Sequence, residues 1–150
     1  MKYLILIGLL PFAVWAGANT SDWENSLKGI ASGEQAWLAK VPQLAATADV
    51  QQATRMEDAL ASALAKNTPG VLETLRVIDA RSWPHMAGTD IVCSVPAEQP
   101  TAFIEDFYQQ TRLALLATDQ GATCLWILEA SYEEMKAESG RMRNLSPSVK

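Results

Sequence analysis

Apolar residues recur at every third or fourth position along most of the chain beyond residue 20, which is the spacing of one helical face. The longest such run is 50–66, in which Val50 and Leu60 share a face and the polar residues fall mostly elsewhere. Asp49, three residues before Gln52, is a start signal for this run. The run therefore predicts an amphipathic helix with one face on a core.

Five more segments show the helical period between start and stop signals. They span 21–32, 34–40, 68–80, 101–118 and 122–139. Ser21 and Glu24 have the spacing of a capping box at the start of the first segment. Thr68 is the predicted cap of the third segment, and Pro69 takes its first helical position, where a missing amide hydrogen costs nothing. Only Asn67 separates that helix from the preceding one, so the two should form an antiparallel hairpin.

Prolines and glycines interrupt the helical period. Pro42 should end the second helix, because the residue before a proline is pushed out of helical geometry, and Gly140 should cap the last helix and leave residues 144–150 frayed. Residues 81–100 contain three prolines and one glycine, and although 91–95 has the composition of a short strand, one strand forms no sheet. The pattern predicts an all-α fold, a compact bundle of about five to six helices with one long loop.

The first residues have the order of a secretory signal peptide. Lys2 precedes an apolar run over 3–15, which is shorter than the roughly 20 residues that cross a bilayer. Small residues follow, and we predict cleavage after Ala18, with cleavage after Ala16 or a retained anchor as alternatives. No cysteine stands there to carry a lipid. We expect a periplasmic protein without a stable membrane anchor, with a single helical domain over 19–150.

The charge of the predicted mature chain disfavours nucleic acid binding. Loss of Lys2 leaves 11 basic against 17 acidic residues, a net charge of −6. A duplex-binding surface needs concentrated basic charge. The basic cluster here is Arg141 and Arg143, which suits a position near a helix end. We therefore expect no nucleic acid partner.

The two cysteines, Cys93 and Cys124, should form a disulfide, because exported thiols are oxidised unless something protects them. The closed loop has about 32 residues, for which chain entropy gives about 3 to 4 kcal/mol of stabilisation. A reactive pair is the alternative, but the two residues form no Cys-x-x-Cys motif. The disulfide should pin the long loop.

Sequence motifs for catalysis or metal binding are missing. His85 is the single histidine, so no two-histidine metal motif exists, and there is no phosphate-binding glycine loop or nucleophile elbow. Ser94 or Cys93 with His85 as base is an alternative that lacks an orienting motif. Adjacent acidic pairs occur in predicted helices at 57–58, 105–106 and 133–134. We expect solvated helix faces at these pairs, and we predict no metal, no cofactor and no enzymatic activity.

Three of the four tryptophans beyond the predicted cleavage site lie in predicted helices. They are Trp23, Trp37 and Trp126. Because an indole buries a large area, we expect all three in the core.

The fourth tryptophan, Trp83, lies in the long loop beside His85 and Met86. Tryptophan and methionine are enriched at protein interfaces. The segment from Trp83 to Asp90 is therefore the predicted partner-binding region. The alternative is a loop aromatic that folds back onto the bundle.

A Val-Cys-Ser-x-Pro segment runs from Val92 to Pro96, and Cys124 follows it. With this segment the chain resembles a group of small secreted bacterial helical proteins. Further positions that share the likeness are Trp37-Leu38, Pro42-Gln-Leu44, Ala59-Leu60, Ala63-Leu64, Asn67, Val71-Leu72, Tyr108 and Ala114-Leu115. The plan also resembles the immunity proteins that protect bacteria from type VI secretion cell-wall amidases. That resemblance implies a protein that blocks the cleft of a toxin, as a small oligomer such as a homodimer.

Two classes of function follow. The favoured one is an exported, non-enzymatic immunity or inhibitor protein whose acidic surface meets a basic toxin or cell-wall hydrolase. The second is a cell-wall-acting enzyme or accessory that uses carboxylates brought together by the fold, drawn from Glu105, Asp106, Glu133 and Glu134. A structural envelope protein is a third, weaker option.

Overall fold

The computed structural model describes residues 18–146, which form eight helices and no strand. Five helices are long: α1 (Ala18–Ser32), α4 (Val50–Leu64), α5 (Thr68–Asp79), α7 (Thr101–Leu116) and α8 (Ala122–Leu145). Three are short: α2 (Gln35–Leu38), α3 (Val41–Ala45) and α6 (Thr89–Val92). The predicted all-α class is confirmed. The predicted signal peptide lies outside the described residues except for Ala18, the first residue of α1.

Helix α4 lies at the centre of the bundle. It packs along α1 and also contacts α5 and α6, while α7 and α8 pack against each other. Its core side chains include Met56, Leu60 and Leu64, all fully buried. The predicted apolar face is thus confirmed in its interior. Val50 is the exception, because it begins the helix and is 63% exposed.

The start of α4 is a capping box. The backbone amide of Gln52 donates to Asp49 Oδ1 at 2.8 Å, and the amide of Asp49 donates to Gln52 Oε1 at 3.0 Å. The capping box predicted at Ser21 and Glu24 is wrong, because α1 already includes Ala18 and Ser21 lies inside it. Glu24 instead accepts two hydrogen bonds from Arg55 of α4, at 2.6 and 2.9 Å.

The link between α4 and α5 is built on Asn67 rather than on Thr68, the predicted cap. Asn67 Oδ1 accepts from the amide of Gly70 at 3.1 Å, and Asn67 Nδ2 donates to the carbonyl of Gly33 at 2.8 Å. Thr68 is already helical, and its hydroxyl donates to the carbonyl of Leu64 at 2.7 Å. One side chain therefore caps α5 and ties it to the end of α1.

We expect Asn67→Ala to lower the free energy of unfolding by about 1 to 2 kcal/mol, since it removes a helix cap and a partly buried hydrogen bond. Urea unfolding followed by circular dichroism measures the change. Asn25→Ala is the matched control, because Asn25 is exposed on α1. Equal losses in the two variants would contradict the assignment of Asn67 as the cap.

One predicted helix end is wrong, and another occurs without its predicted cause. The second helix does end before Pro42, since α2 ends at Leu38. Pro42 is not the cause, because it lies in the first turn of α3, where a proline needs no amide hydrogen. Gly140 does not cap α8, which continues to Leu145 and so includes the first two residues of the predicted frayed tail. A Cβ at Gly140 would have no neighbour within 4 Å, so packing does not require glycine there.

The long loop contains α6, whose residues overlap the stretch with strand-like composition. Gly88 precedes this helix with φ +74°, a backbone conformation that favours glycine. The carboxylate of Asp79 accepts hydrogen bonds from the amide and the hydroxyl of Thr89. These contacts satisfy the start of a helical turn, so the extended conformation considered for 91–95 does not form.

The disulfide between Cys93 and Cys124 is confirmed. It joins the residue after α6 to the first turn of α8, and both cysteines are buried. Beyond it, the amide of Val95 donates to the hydroxyl of Ser131 on α8 at 3.0 Å. The long loop is therefore held against α8.

Candidate partner-binding surface

The four residues predicted to contact a partner differ in how far they are exposed. Trp83 and Met86 are half-buried and pack against the core. His85 is exposed in the loop, and Asp90 is exposed on α6. Trp83 is therefore folded back onto the bundle, which was the alternative to a partner contact. Its indole Nε1 has no hydrogen-bond acceptor among the described residues.

A buried carboxylate lies beneath this loop. Glu57 of α4 is only 4% exposed, and Glu57 Oε1 accepts from the amide of Ala87 at 2.8 Å. The prediction that the pair 57–58 lies on a solvated face is wrong for Glu57 and holds for Asp58. Burial raises the pKa of the Glu57 carboxyl; the bond from Ala87 opposes the rise and the charge of Asp58 adds to it.

The pKa of Glu57 sets the sign of a pH effect. A carboxyl whose folded pKa lies above its unfolded value contributes stability at low pH that is lost as the pH rises through the folded pKa. Glutamine keeps the acceptor for Ala87 and cannot ionise. We therefore expect the free energy of unfolding of Glu57→Gln to fall less than that of the wild type as the pH rises from acid to neutral. Urea unfolding over that pH range measures it. Glu98→Gln, at an exposed position, is the charge control, and identical pH profiles for Glu57→Gln and wild type would contradict this account.

Helices α7 and α8 are joined by two crossed tyrosine–carboxylate pairs. The rings of Tyr108 and Tyr132 stack with centroids 3.8 Å apart and planes 5° from parallel. Tyr108 donates to Glu129 Oε2 and Tyr132 donates to Glu105 Oε1, each at 2.6 Å. Arg112 Nε also donates to Glu129, at 2.7 Å. These side chains hold the two helices together, and we call the two tyrosines with their carboxylate partners the tyrosine clamp.

The clamp keeps its phenols protonated. The hydrogen bond to Glu105 is the main cause that raises the pKa of Tyr132 to about 12, and the bond to Glu129 likewise raises the pKa of Tyr108. The bond from Tyr108, followed by that from Arg112, lowers the pKa of Glu129. Near neutral pH the tyrosines therefore act as hydrogen-bond donors rather than as bases or nucleophiles.

The carboxylates considered for catalysis do not converge as a set. Glu105 is bonded to Tyr132, and Glu133 forms an ion pair with Lys136 at 2.9 Å. Asp106 and Glu134 are exposed on different helices. The carboxylate that the fold brings toward Glu105, through the stacked tyrosines, is Glu129, which the sequence did not single out. The only local feature that could have indicated Glu129 is its position three residues before Tyr132, on the same side of α8.

The expectation that Trp126 lies in the core is wrong, since it is 74% exposed. Cys124, Leu128 and Tyr132 recur every four residues and are buried, and Trp126 lies two residues from the first two of these. A step of two residues turns a helix by about 200°, so the indole points away from the buried face. Trp23 and Trp37 are half-buried against the core, and Trp37 covers Gly29 so closely that a Cβ there would collide with its ring.

Two leucines of α7, the other helix of the hairpin, are also exposed. Leu113 is 64% and Leu116 is 56% exposed, whereas Leu115 between them is buried. The turn that joins α7 to α8 borders an open groove of about 500 Å³. Its lining residues are Pro69, Leu72, Glu73, Ala117, Thr118, Asp119 and Gln120. Apolar side chains, a concave border and acidic groups thus come together at this end of the hairpin.

Within residues 18–146, no group of three or more metal-binding side chains comes together. No helix in that range combines the length and the apolar character needed to cross a membrane. No family model matches the chain, and neither a curated protein nor a solved structure matches it.

Proposed function

We propose that this protein is an exported, non-enzymatic inhibitor, an immunity protein that neutralises a toxin or hydrolase acting on the cell wall. The observation that carries the proposal is Trp126, a large apolar side chain left 74% exposed on the same helical hairpin as the exposed Leu113 and Leu116. Clusters of exposed apolar side chains on a stable domain mark protein interaction sites, and tryptophan is the residue type most enriched among binding hot spots.

Two further features support a binding role over a catalytic one. The tyrosine clamp joins α7 to α8, and the disulfide joins α8 to the residue after α6, so the hairpin is a preformed surface, which lowers the ordering cost of binding. Glu105, Glu129 and Glu133 are each engaged by a neighbouring side chain. A hydrolase that uses two carboxylates needs both of them directed at the substrate. The predicted signal peptide and the resemblance to amidase immunity proteins point to the cell envelope as the place of action.

Co-expression tests this proposal. Cells that produce a periplasm-targeted cell-wall amidase should survive when they also export this protein, and the purified protein should inhibit that amidase on isolated peptidoglycan. The control is the same chain without residues 1–18, which should stay inside the cell and give no protection. Continued lysis across a panel of such amidases would contradict the proposal. Cleavage of peptidoglycan by the purified protein itself would favour the enzyme alternative.

A further inference from the structure

Three exposed side chains, Leu113, Leu116 and Trp126, form what we call the hairpin patch. Leu113 and Leu116 are three residues apart on α7 and so are neighbours on its surface. Arg112 lies four residues before Leu116, and Glu129 lies three residues after Trp126. Because Arg112 Nε donates to Glu129 at 2.7 Å, the helix surfaces that carry the two leucines and the indole are held side by side.

The hairpin patch lies on the most acidic part of the chain. Residues 101–134 contain six acidic residues and a single basic one, Arg112, so this stretch alone has a net charge of −5. Arg112 is already paired with Glu129. The other basic residues of the hairpin, Lys136, Arg141 and Arg143, lie further along α8, so the part that carries the exposed apolar side chains keeps a negative net charge.

Acidic side chains border the patch on several sides. Asp106 stands seven residues before Leu113 and Glu133 seven residues after Trp126, two turns away on the same sides of their helices. Asp119 lies in the connecting turn and lines the neighbouring groove. In the part of the chain that the structure describes, Asp106 and Asp119 take part in no ion pair. Glu133 is paired with Lys136, so within the described residues the acidic rim of the apolar centre rests on Asp106 and Asp119.

We propose that the hairpin patch binds a partner protein through a basic surface in which lysines and arginines surround an apolar pocket for Trp126. This inference rests on the proposed function and assigns it a surface and a partner chemistry. Opposite charge at the rim speeds encounter and rejects wrong partners, while a buried aromatic anchor supplies most of the affinity.

The same charges argue against other occupants. A second copy docked through this patch about a twofold axis would bring together two copies of the stretch 101–134, each of net charge −5. An anionic membrane surface would be repelled for the same reason. The segment from Trp83 to Asp90 offers less free apolar area, because Trp83 and Met86 are packed against the core.

Two amphipathic peptides test the inference. Both contain the same leucines, and their polar positions are all lysine in one and all glutamate in the other. In titrations of labelled peptide with the exported, oxidised protein, we expect the lysine peptide to bind and the glutamate peptide not to bind. Trp126→Ala should weaken binding of the lysine peptide on the order of tenfold or more, as hot-spot tryptophans do. High salt should weaken it as well, because the rim charges are exposed.

Ile91→Ala is the matched control, since Ile91 is also exposed but lies on α6, away from the hairpin. It should leave binding unchanged. Trp126→Ala should unfold at the same urea concentration as the wild type, so that lost binding cannot be attributed to lost structure. A second variant, Asp106→Lys with Asp119→Lys, should weaken binding of the lysine peptide while keeping the indole.

Three results would overturn the inference. They are equal binding by Trp126→Ala and Ile91→Ala, equal binding of the two peptides, and a dimer of the wild type that Trp126→Ala converts to a monomer. If the wild type protects cells from an amidase but gives one of these results, this inference fails and the proposed function stands. If Trp126 binds the lysine peptide and no amidase is neutralised, the proposed function fails and the assignment of the patch stands.

Discussion

Replacing both cysteines, Cys93→Ala with Cys124→Ala, should lower the free energy of unfolding by about 3 to 4 kcal/mol. The bond joins residues that are 31 positions apart, and the unfolded chain regains the conformational freedom of that loop when the bond is absent. A loss of this size is a large fraction of the stability of a small domain. Urea unfolding of the exported protein under non-reducing conditions measures it.

A reducing agent provides the control for this experiment. It should lower the stability of the wild type toward that of the double variant and leave the double variant unchanged. We also expect the variant to lose order in the long loop first, since the disulfide holds the residue after α6 to the first turn of α8. A double variant as stable as the oxidised wild type would contradict this account.

Leu60→Ala should cost about 2 to 5 kcal/mol, because it leaves a cavity at the centre of the bundle. Leu60 is fully buried on α4, the helix that contacts α1, α5 and α6. Leu113→Ala is the matched control, since it removes the same atoms from a side chain that is 64% exposed. The control should stay within about 0.5 kcal/mol of the wild type.

Thermal and urea unfolding of the two leucine variants give the comparison directly. Similar losses in both would mean that Leu60 does not lie in a tightly packed core, or that Leu113 is covered. The second explanation would also bear on the hairpin patch, which requires Leu113 to be accessible. The pair of variants therefore tests the core and the candidate surface together.

Local patterns were sufficient for much of the fold. The period of α4, the Asp49 start signal and the two cysteines predicted an amphipathic helix with one face on the core and a disulfide, and both are present. The helix depends on residues that are close in sequence, and two cysteines can pair with each other in only one way. Helix ends were less predictable: Asn67 rather than Thr68 caps α5, because only Asn67 also reaches the carbonyl of Gly33 at the end of α1.

The candidate surface was less predictable, because exposure depends on what the other elements cover. Glu57 belongs to an acidic pair expected in water, yet a loop thirty residues further along the chain covers it through Ala87. Trp126 is apolar and was expected in the core, yet the buried faces of α8 are occupied by Cys124, Leu128 and Tyr132. Hydropathy alone does not show which apolar residue of a helix lacks a neighbour.

The sequence by itself determined the helical class, the amphipathic helix with its core-facing side and the disulfide, because helical periodicity and cysteine chemistry are local properties. Only the tertiary structure decided which groups are buried and which meet at the surface. The clamp of Tyr108 and Tyr132, the buried Glu57 and the hairpin patch all join side chains from different elements. Their positions follow from how α7, α8 and the long loop pack, and this packing minimises exposed apolar area over the whole chain rather than within one helix.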